Sequence, residues 1–484
     1  MKKNIYIKAL LLCLLSISFS CEKLVENLNT DPNNPTDASA TLLLTAAQLG
    51  NISVQEGHLA RVASMWSGYF TGSDRQYKDV DSYNVTGSDF NNVWGFVYQG
   101  VVEQTKLIIE KSERTNNRLI QGIAKITRAN SLGTAVACFG DIPYTEASNI
   151  DLYPNPAFES QSSVYASLQL LLDDAIADLQ SGAGSSPDAA DIHFNGDGSK
   201  WLQTAYTLKS RFYLETKEYA LAEEASSNGI TSSDASLKVT HGNSLNVNEN
   251  LMYAFIGRNR VGDINAATAL APTLLDPASP DYKGNAKTDE TARFNYHYIT
   301  VNPTGTVIPV MPNVNSSPNS LGLFGQTASY PLVTFEENIL TTAESKARLG
   351  KTGESLAALN TYRAYLNGGG GLDPTYLSSA FSYKYEAYAL DDFSTGGVLH
   401  STGLSTNDAL LKEILMERYI TFNGQILGFN DLRRTRKEDV GVNLTPTTGN
   451  TLPERMIYSE AEINSNTSAP NPIPGVFVVT PVNL

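Results

Sequence analysis

The chain of 484 residues is 41% hydrophobic, holds 24 tyrosines and 17 phenylalanines, and carries a formal net charge of −15. That length and apolar share suffice for a large core in one domain or up to about three. So acidic a chain repels nucleic acid and anionic lipid head groups, which excludes both as partners.

Lys2 and Lys3 open the sequence, an apolar run extends from Ala9 to Phe19, and Ser18 and Ser20 flank the approach to Cys21. This order reads as a signal peptide over residues 1–20 with a cysteine at the first mature position. The run is too short for a membrane-spanning helix, which needs about 20 apolar residues. Cys21 therefore looks like a bacterial lipoprotein acceptor, acylated and then held at a membrane. The alternative is a secreted protein with a chance cysteine near the cut. No second long apolar run follows, so lipid must do the anchoring. Lys2, Lys3 and Lys8 leave with the signal, and the mature chain is more acidic still. Cys13 leaves too, Cys21 would be acylated, and only Cys138 keeps a thiol, so no intrachain disulfide forms. Cys138 lies beside Ala135, Val136, Ala137 and Phe139, which reads as core packing rather than a nucleophile.

Residues 21–40 read as a tether, since Asn29, Asp31, Pro32, Asn33, Asn34 and Pro35 build neither helix nor strand. The remainder, 41–484, is expected to form a single domain. Helical periodicity begins near Thr41 with Leu42, Leu43, Ala46, Ala47 and Leu49. It returns from Val93 to Ile108, where apolar residues keep the i, i+3, i+4, i+7 rule. Further helices are predicted over Leu119–Ala137, Val164–Leu179, Trp201–Ser227, Glu336–Leu366 and Asp408–Phe422. They fall in consecutive pairs. Ser210, Tyr213 and Ala222 resemble the small–aromatic–alanine skeleton of a tetratricopeptide repeat, and Ser345 and Ala357 keep the same twelve-residue step. Small residues at such places let two antiparallel helices approach closely. Between Pro272 and Pro331, by contrast, eight of the 21 prolines accumulate. Residues 231–335 read as a loop-rich insertion with a few short strands, too long to be a mere linker. Gly368–Gly371 is a second break.

Several segments, in order, resemble the SusD/RagB family of starch-utilisation-type lipoproteins. They are Phe139-Gly140-Asp141-Ile142-Pro143-Tyr144-Thr145-Glu146-Ala147, Phe194-Asn195-Gly196-Asp197-Gly198-Ser199-Lys200-Trp201 and Ala343-Glu344-Ser345. Glu417-Arg418-Tyr419, Asp431-Leu432-Arg433-Arg434-Thr435 and Leu452-Pro453-Glu454-Arg455-Met456-Ile457-Tyr458 complete the set. Ser459 stands where the family usually has proline, and Gly428-Phe429 is a further departure. The resemblance implies a mainly α fold, with four tetratricopeptide-like helix pairs (mainly 93–230 and 336–435) packed against an irregular lobe. It implies a place on the outer face of the outer membrane, with which Glu22 and Glu26 just after Cys21 are compatible. It implies a SusC-like TonB-dependent barrel as partner, a glycan or in some members a peptide as ligand, and no enzymatic step.

Catalytic constellations are lacking in the sequence. His58, His193, His241, His297 and His400 are scattered, and HExxH, GxSxG and P-loop patterns do not occur. No cofactor or metal is called for; Asp79-Val80-Asp81 lacks the rest of a calcium loop. A sugar instead needs flat aromatics for its C–H face and polar side chains for its hydroxyl rim. Trp66, Tyr69, Tyr77 and Tyr83 beside Asp74, Arg75 and Gln76 offer that mixture, with Thr71–Gln76 read as a loop. Arg293, Tyr296 and Tyr298 offer it again within the insertion. Trp94 and Trp201 read as core, and Arg433, Arg434 and Arg455 as structural anchors. The rival readings are a helical lipoprotein glycosidase and a repeat scaffold that docks other proteins. Replacing Cys21 by alanine is expected to leave the amino terminus unacylated by mass spectrometry and to release the protein into the medium.

Overall fold

A computed structural model describes residues 38–302, 305–317 and 320–484. The signal peptide, Cys21 and the tether through residue 37 lie outside the described residues. Eight helices carry the scaffold: α1 Ala40–Glu56, α2 Glu103–Arg114, α3 Arg118–Phe139, α4 Gln161–Gln180, α5 Gly198–Glu215, α6 Tyr219–Ser226, α7 Phe335–Arg348 and α8 Thr352–Asn367. They pack as four successive pairs, α1/α2, α3/α4, α5/α6 and α7/α8, and each pair lies against the next. Two late helices, α9 Thr406–Thr421 and α10 Ile426–Thr435, close against this array.

Local chemistry sets the helix starts. Side-chain oxygens accept from backbone amides at the first turns: Ser39 from Leu42, Asn117 from Ile120, Ser160 from Ser163, Asp197 from Ser199, Thr334 from Glu337 and Ser405 from Asp408. Gly140, at a φ of 80°, ends α3, a backbone state that glycine enters without penalty. The predicted Trp201–Ser227 and Glu336–Leu366 stretches each resolve into a hairpin of two helices.

Small residues bring the helices together. The Ser210 hydroxyl donates to the Ala222 carbonyl at 3.0 Å across α5/α6. The matching bond in α7/α8 runs from the Ser355 hydroxyl to the Ala343 carbonyl at 2.8 Å. The repeat register there is thus Ala343/Ser355, two residues earlier than the Ser345/Ala357 pair read from spacing; Ala357 is exposed. A Cβ on Gly133 would lie 2.3 Å from the Phe212 ring, so only glycine lets α3 and α5 meet there.

The helix predicted from Val93 to Ile108 is interrupted. It comprises Asn91–Gly95, a widened π-helical turn Phe96–Val102, and then α2. The turn brings Gly100 against α1, where a Cβ on Gly50 would sit 2.7 Å from the Gly100 carbonyl oxygen. Periodicity alone did not reveal the short helices His58–Trp66 and Arg75–Asp81. The latter corrects the loop read over Thr71–Gln76: Thr71–Gly72 is a short strand and the helix begins at Arg75.

The lobe of residues 231–335 is irregular, as its composition implies. Its short strands pair antiparallel: Leu237–Val239 with Tyr330–Val333, Ile264–Asn265 with Thr71–Gly72, Tyr298–Val301 with Val307–Pro312, and Thr288–Asp289 with Lys384–Tyr385. It also holds the short helices Leu270–Leu275 and Thr291–His297. One apolar core runs through the first three pairs and into the lobe. A second lies among α7, α8 and α9, and Ile339 and Tyr365 touch both. Among the described residues no helix is long and apolar enough to cross a membrane.

Buried ion pairs tie the scaffold to the late helices and the lobe. Glu344 on α7 meets Arg434 at 2.5 Å, Arg348 at 2.8 Å and Arg418 at 3.3 Å. Glu337 meets Arg211 of α5 at 2.5 Å. Glu417 on α9 is held by Lys283 and by Arg293 of the lobe. Burial by itself raises the Glu344 carboxyl, but the three arginines outweigh it and hold the group well below the usual carboxylate range. Glu344→Ala is expected to cost about 3–5 kcal/mol, because three buried or half-buried cations lose their shared partner. Urea unfolding of the variant measures this, and a loss under about 1 kcal/mol would contradict it.

Candidate functional site

The sequence places ten residues in candidate binding segments, and the structure separates them. Trp66, Tyr69, Tyr77, Tyr83 and Tyr298 are buried. Trp66 donates from its indole nitrogen to the Val80 carbonyl at 2.8 Å. Tyr69 stacks on Tyr419 with ring centroids 4.7 Å apart and donates to its carbonyl. The Tyr77 hydroxyl accepts from Arg61 Nε at 2.8 Å and contacts His58 Nδ1. Tyr83 accepts from the Thr447 amide, and Tyr298 donates to the Tyr69 carbonyl. These five rings have packing partners in place of a ligand face, which corrects their reading as a stacking surface. Asp74, Arg75 and Gln76 are exposed, with Arg75 bound to the buried Asp263 at 2.5 Å and Gln76 to Asp89 at 2.9 Å. Arg293 is buried and held by Glu290 at 2.7 Å and Glu417 at 3.2 Å, so it serves as a structural anchor that also lines the cleft described next.

Tyr296 stands differently. It is half-buried on the wall of a cleft of ≈ 490 Å³ between the α7/α8 pair and the lobe. Several chain stretches build the cleft, among them residues 233–238 and 321–334 of the lobe. The end of helix Thr291–His297 supplies Tyr296 and His297, α8 supplies Tyr362 and Tyr365, and the first turn of α7 supplies Glu336. The link between α9 and α10 supplies Asn423 and Gln425. The glycine turn after α8 forms a rim that leads to Asp373.

Each group is held in place. The Tyr365 hydroxyl donates to Glu336 Oε1 at 2.8 Å and is itself hydrogen-bonded by the Gly371 amide. Burial, then the neighbouring Glu336 charge, push this phenol upward, so it stays a donor. Tyr296 packs on Tyr376 with centroids 5.4 Å apart. The Asn423 amide nitrogen donates to His297 Nδ1 at 3.1 Å. Burial, then the nearby Arg293 cation, push His297 down to about 3, so the imidazole is neutral. Glu336 Oε2 and Asn423 Oδ1 are buried and have no hydrogen-bond partner. The cleft thus combines tyrosine rings with the polar side chains of Glu336, Asn423, Gln425 and Asp373, the mixture that holds a polyhydroxylated ring.

A SusD-like family model, described as starch-binding and associating with the outer membrane, matches residues 32–458. The chain belongs to the SusD/RagB family. Solved SusD-type structures share its fold. A SusD/RagB protein from Bacteroides thetaiotaomicron aligns at a TM-score of 0.67 with 19% identity, over 89% of this chain and 95% of that one. A chitin-binding SusD homologue from Flavobacterium johnsoniae aligns at 0.65 with 18% identity, over 92% and 98%. A homologue from Bacteroides uniformis aligns at 0.66 with 18% identity, over 92% and 99%. No curated protein matches the chain at the sequence level.

The motifs behind the SusD/RagB resemblance lie in the scaffold. Asp141 accepts the Gln161 amide at the start of α4, Trp201 donates to Asp191 at 2.7 Å, and Arg433 donates to the Glu454 carbonyl. Arg455 donates to the Phe139 carbonyl, joining the first and last of these motifs. Ser459, the departure from the family pattern, caps the short helix Glu460–Ser465 and binds Asn91 at 2.7 Å. Trp94 is core and bonds Glu462, and Cys138 is fully buried, its thiol pushed up to about 12 by desolvation. Asp79 is exposed while Asp81 is buried, and no group of three metal-ligating side chains occurs among the described residues.

The cleft residues Tyr362, Tyr365, Glu336, Asn423 and Gln425 escaped the sequence reading. The available signal was two tyrosines one helical turn apart just before Gly368–Gly371. The neutral His297 also has a stability consequence. Its folded-state value lies below the unfolded 6.5, so the unfolded chain binds the extra proton as pH falls through 6.5. Between pH 7 and pH 5 the wild type is expected to lose about 2 kcal/mol more stability than His297→Gln, read from urea midpoints at each pH.

Proposed function

We propose that this protein is a surface-exposed, lipid-anchored glycan-binding protein. It captures oligosaccharide in the cleft and delivers it to a SusC-like TonB-dependent transporter in the outer membrane. The observation that carries this reading is the cleft, where tyrosine rings and polar side chains line one space in a chain whose family is described as starch-binding. The chitin-binding homologue, similar over nearly its whole length, supports a glycan as ligand class. Capture requires no bond to break. The cleft accordingly works by stacking and hydrogen bonding, with a neutral histidine and a phenol that keeps its proton. Acyl chains on Cys21 and the tether to residue 40 would hold the scaffold at the outer face of the membrane.

Affinity gels cast with a panel of polysaccharides are expected to retard the protein while leaving polymer length unchanged. Tyr296→Ala is expected to weaken the retained glycan about tenfold, as loss of one ring contact implies, with the circular dichroism unaltered. Shortened polymer would favour a glycosidase, and retention of peptides alone would move the ligand class. Pull-down from detergent-solubilised outer membrane is expected to yield a large β-barrel. Recovery of soluble enzymes in its place would favour a docking scaffold.

A further inference from the structure

We infer that the seam between the lobe and α9 is a pH-sensitive device, tightest when Glu413 carries a proton and looser when Glu413 is ionised. The cause is a shortage of donors. Lys283 of the lobe reaches three carboxylates, Glu290 at 3.2 Å, Glu413 at 3.9 Å, and Glu417. Two of the three have further partners. Glu290 accepts from Arg293 at 2.7 Å and from the Tyr385 hydroxyl at 2.7 Å, and Glu417 meets Arg293 at 3.2 Å. Glu413 is only 7% exposed, and its Oε1 is buried with no hydrogen-bond donor. A carboxylate there gives up hydration without replacement, whereas the acid form gives up far less. Glu413 and Glu417 also stand four residues apart on α9, a spacing at which two negative charges repel.

The charges around Glu413 do not supply the missing donor. Arg363 of α8 gives its Nε to the Glu386 carbonyl and its Nη2 to the Lys287 carbonyl and the Thr288 hydroxyl, and it lies 3.6 Å over the Tyr388 ring. Its Nη1 has no acceptor, so it acts on Glu413 through space alone. The Tyr388 hydroxyl is engaged by Thr288 and Asn285. Asp392, on the turn beside α9, pairs with Lys287 at 2.6 Å, and Asp391 is exposed. α7 and α10 bring Glu344, Asp431 and Arg434 to the side of α9 that carries Arg418, about 140° around the helix from Glu413. Burial therefore dominates and pushes the Glu413 carboxyl up to about 7; Lys283 and Arg363 pull it down, and Glu417 and Glu290 push it up. Burial raises Glu290 and Glu417 as well, but Arg293 and Lys283 outweigh it and hold both below the usual carboxylate range. Glu413 alone of the three changes charge near neutrality, and when it does a third anion competes for Lys283. The lobe segment so released runs on into the helix Thr291–His297, which carries Tyr296 and His297 of the cleft wall.

The sign follows from linkage. The folded value lies above the 4.5 of an opened chain, so the closed seam binds the extra proton and loses stability as pH rises from 4.5 through about 7. Hydrogen exchange read by mass spectrometry at pH 6 and pH 8, corrected for intrinsic rates, tests this on the full chain and on Glu413→Gln, which keeps the size and removes the charge. In peptides covering 283–297 and 409–420, the opening constant of the wild type relative to the variant is expected to rise about tenfold from pH 6 to pH 8. His297 titrates in the opened segment of both proteins and cancels in this ratio. At pH 8 the wild-type seam is expected to open more readily than α3 and α4. A ratio that stays within about twofold between the two pH values overturns the inference. Opening constants equal to those of α3 and α4 at both pH values show unfolding of the whole molecule and overturn the local seam. Should Glu413→Gln fold poorly, Glu413→Met supplies the same uncharged reference.

Discussion

Glutamates buried on one helix pair and its neighbour, each gripped by cations from distant sequence, are the constraint on which the molecule is assembled. Glu337 takes Arg211 from the preceding pair, Glu344 takes Arg434 and Arg418 from the late helices, and Glu417 takes Arg293 from the lobe. A repeat array alone specifies only nearest-neighbour stacking. These contacts add what stacking cannot, a fixed angle between the fourth pair, the late helices and the irregular lobe. Apolar contacts tolerate sliding, whereas a guanidinium fork fits a carboxylate in few geometries.

The cleft is a product of that fixed angle. Its walls come from segments far apart in the sequence, and it lies where the two apolar cores meet at Tyr365. The same side chains serve both duties. Arg293 anchors Glu417 at the cleft floor and leaves its neighbour Tyr296 to face the opening. Tyr365 packs on Phe335 with its ring and positions Glu336 with its hydroxyl. A binding surface built in this way is set by the scaffold before a ligand arrives, which lowers the ordering cost of capture.

The helical scaffold was legible because its signals are local. Apolar residues at helical spacing act within a turn or two. The repeat register in α7/α8 was misread by two residues, since Ser345 and Ala357 keep the same spacing as Ala343 and Ser355 and only the packing chooses between them. The site was far less legible. An aromatic run such as Trp66, Tyr69, Tyr77 and Tyr83 has the composition of a ligand platform and the burial of a core. Burial is decided by what packs across from it, here Tyr419, Phe429 and Phe255 from remote segments. Glu336, Tyr365 and Asn423 meet only after the chain has folded, so no local pattern marks them as a group.

The widened turn at Phe96–Val102 carries one more implication, for how the family can vary in length. Such a turn holds one residue more than regular winding needs. Deleting that residue would restore an ordinary helix but rotate everything after it by about 100°. Ile108, now fully buried, would swing off the core side, and the glycine-to-glycine approach at Gly50 and Gly100 would open. The residue count of this stretch of the first helix pair is therefore fixed by the packing on either side of it.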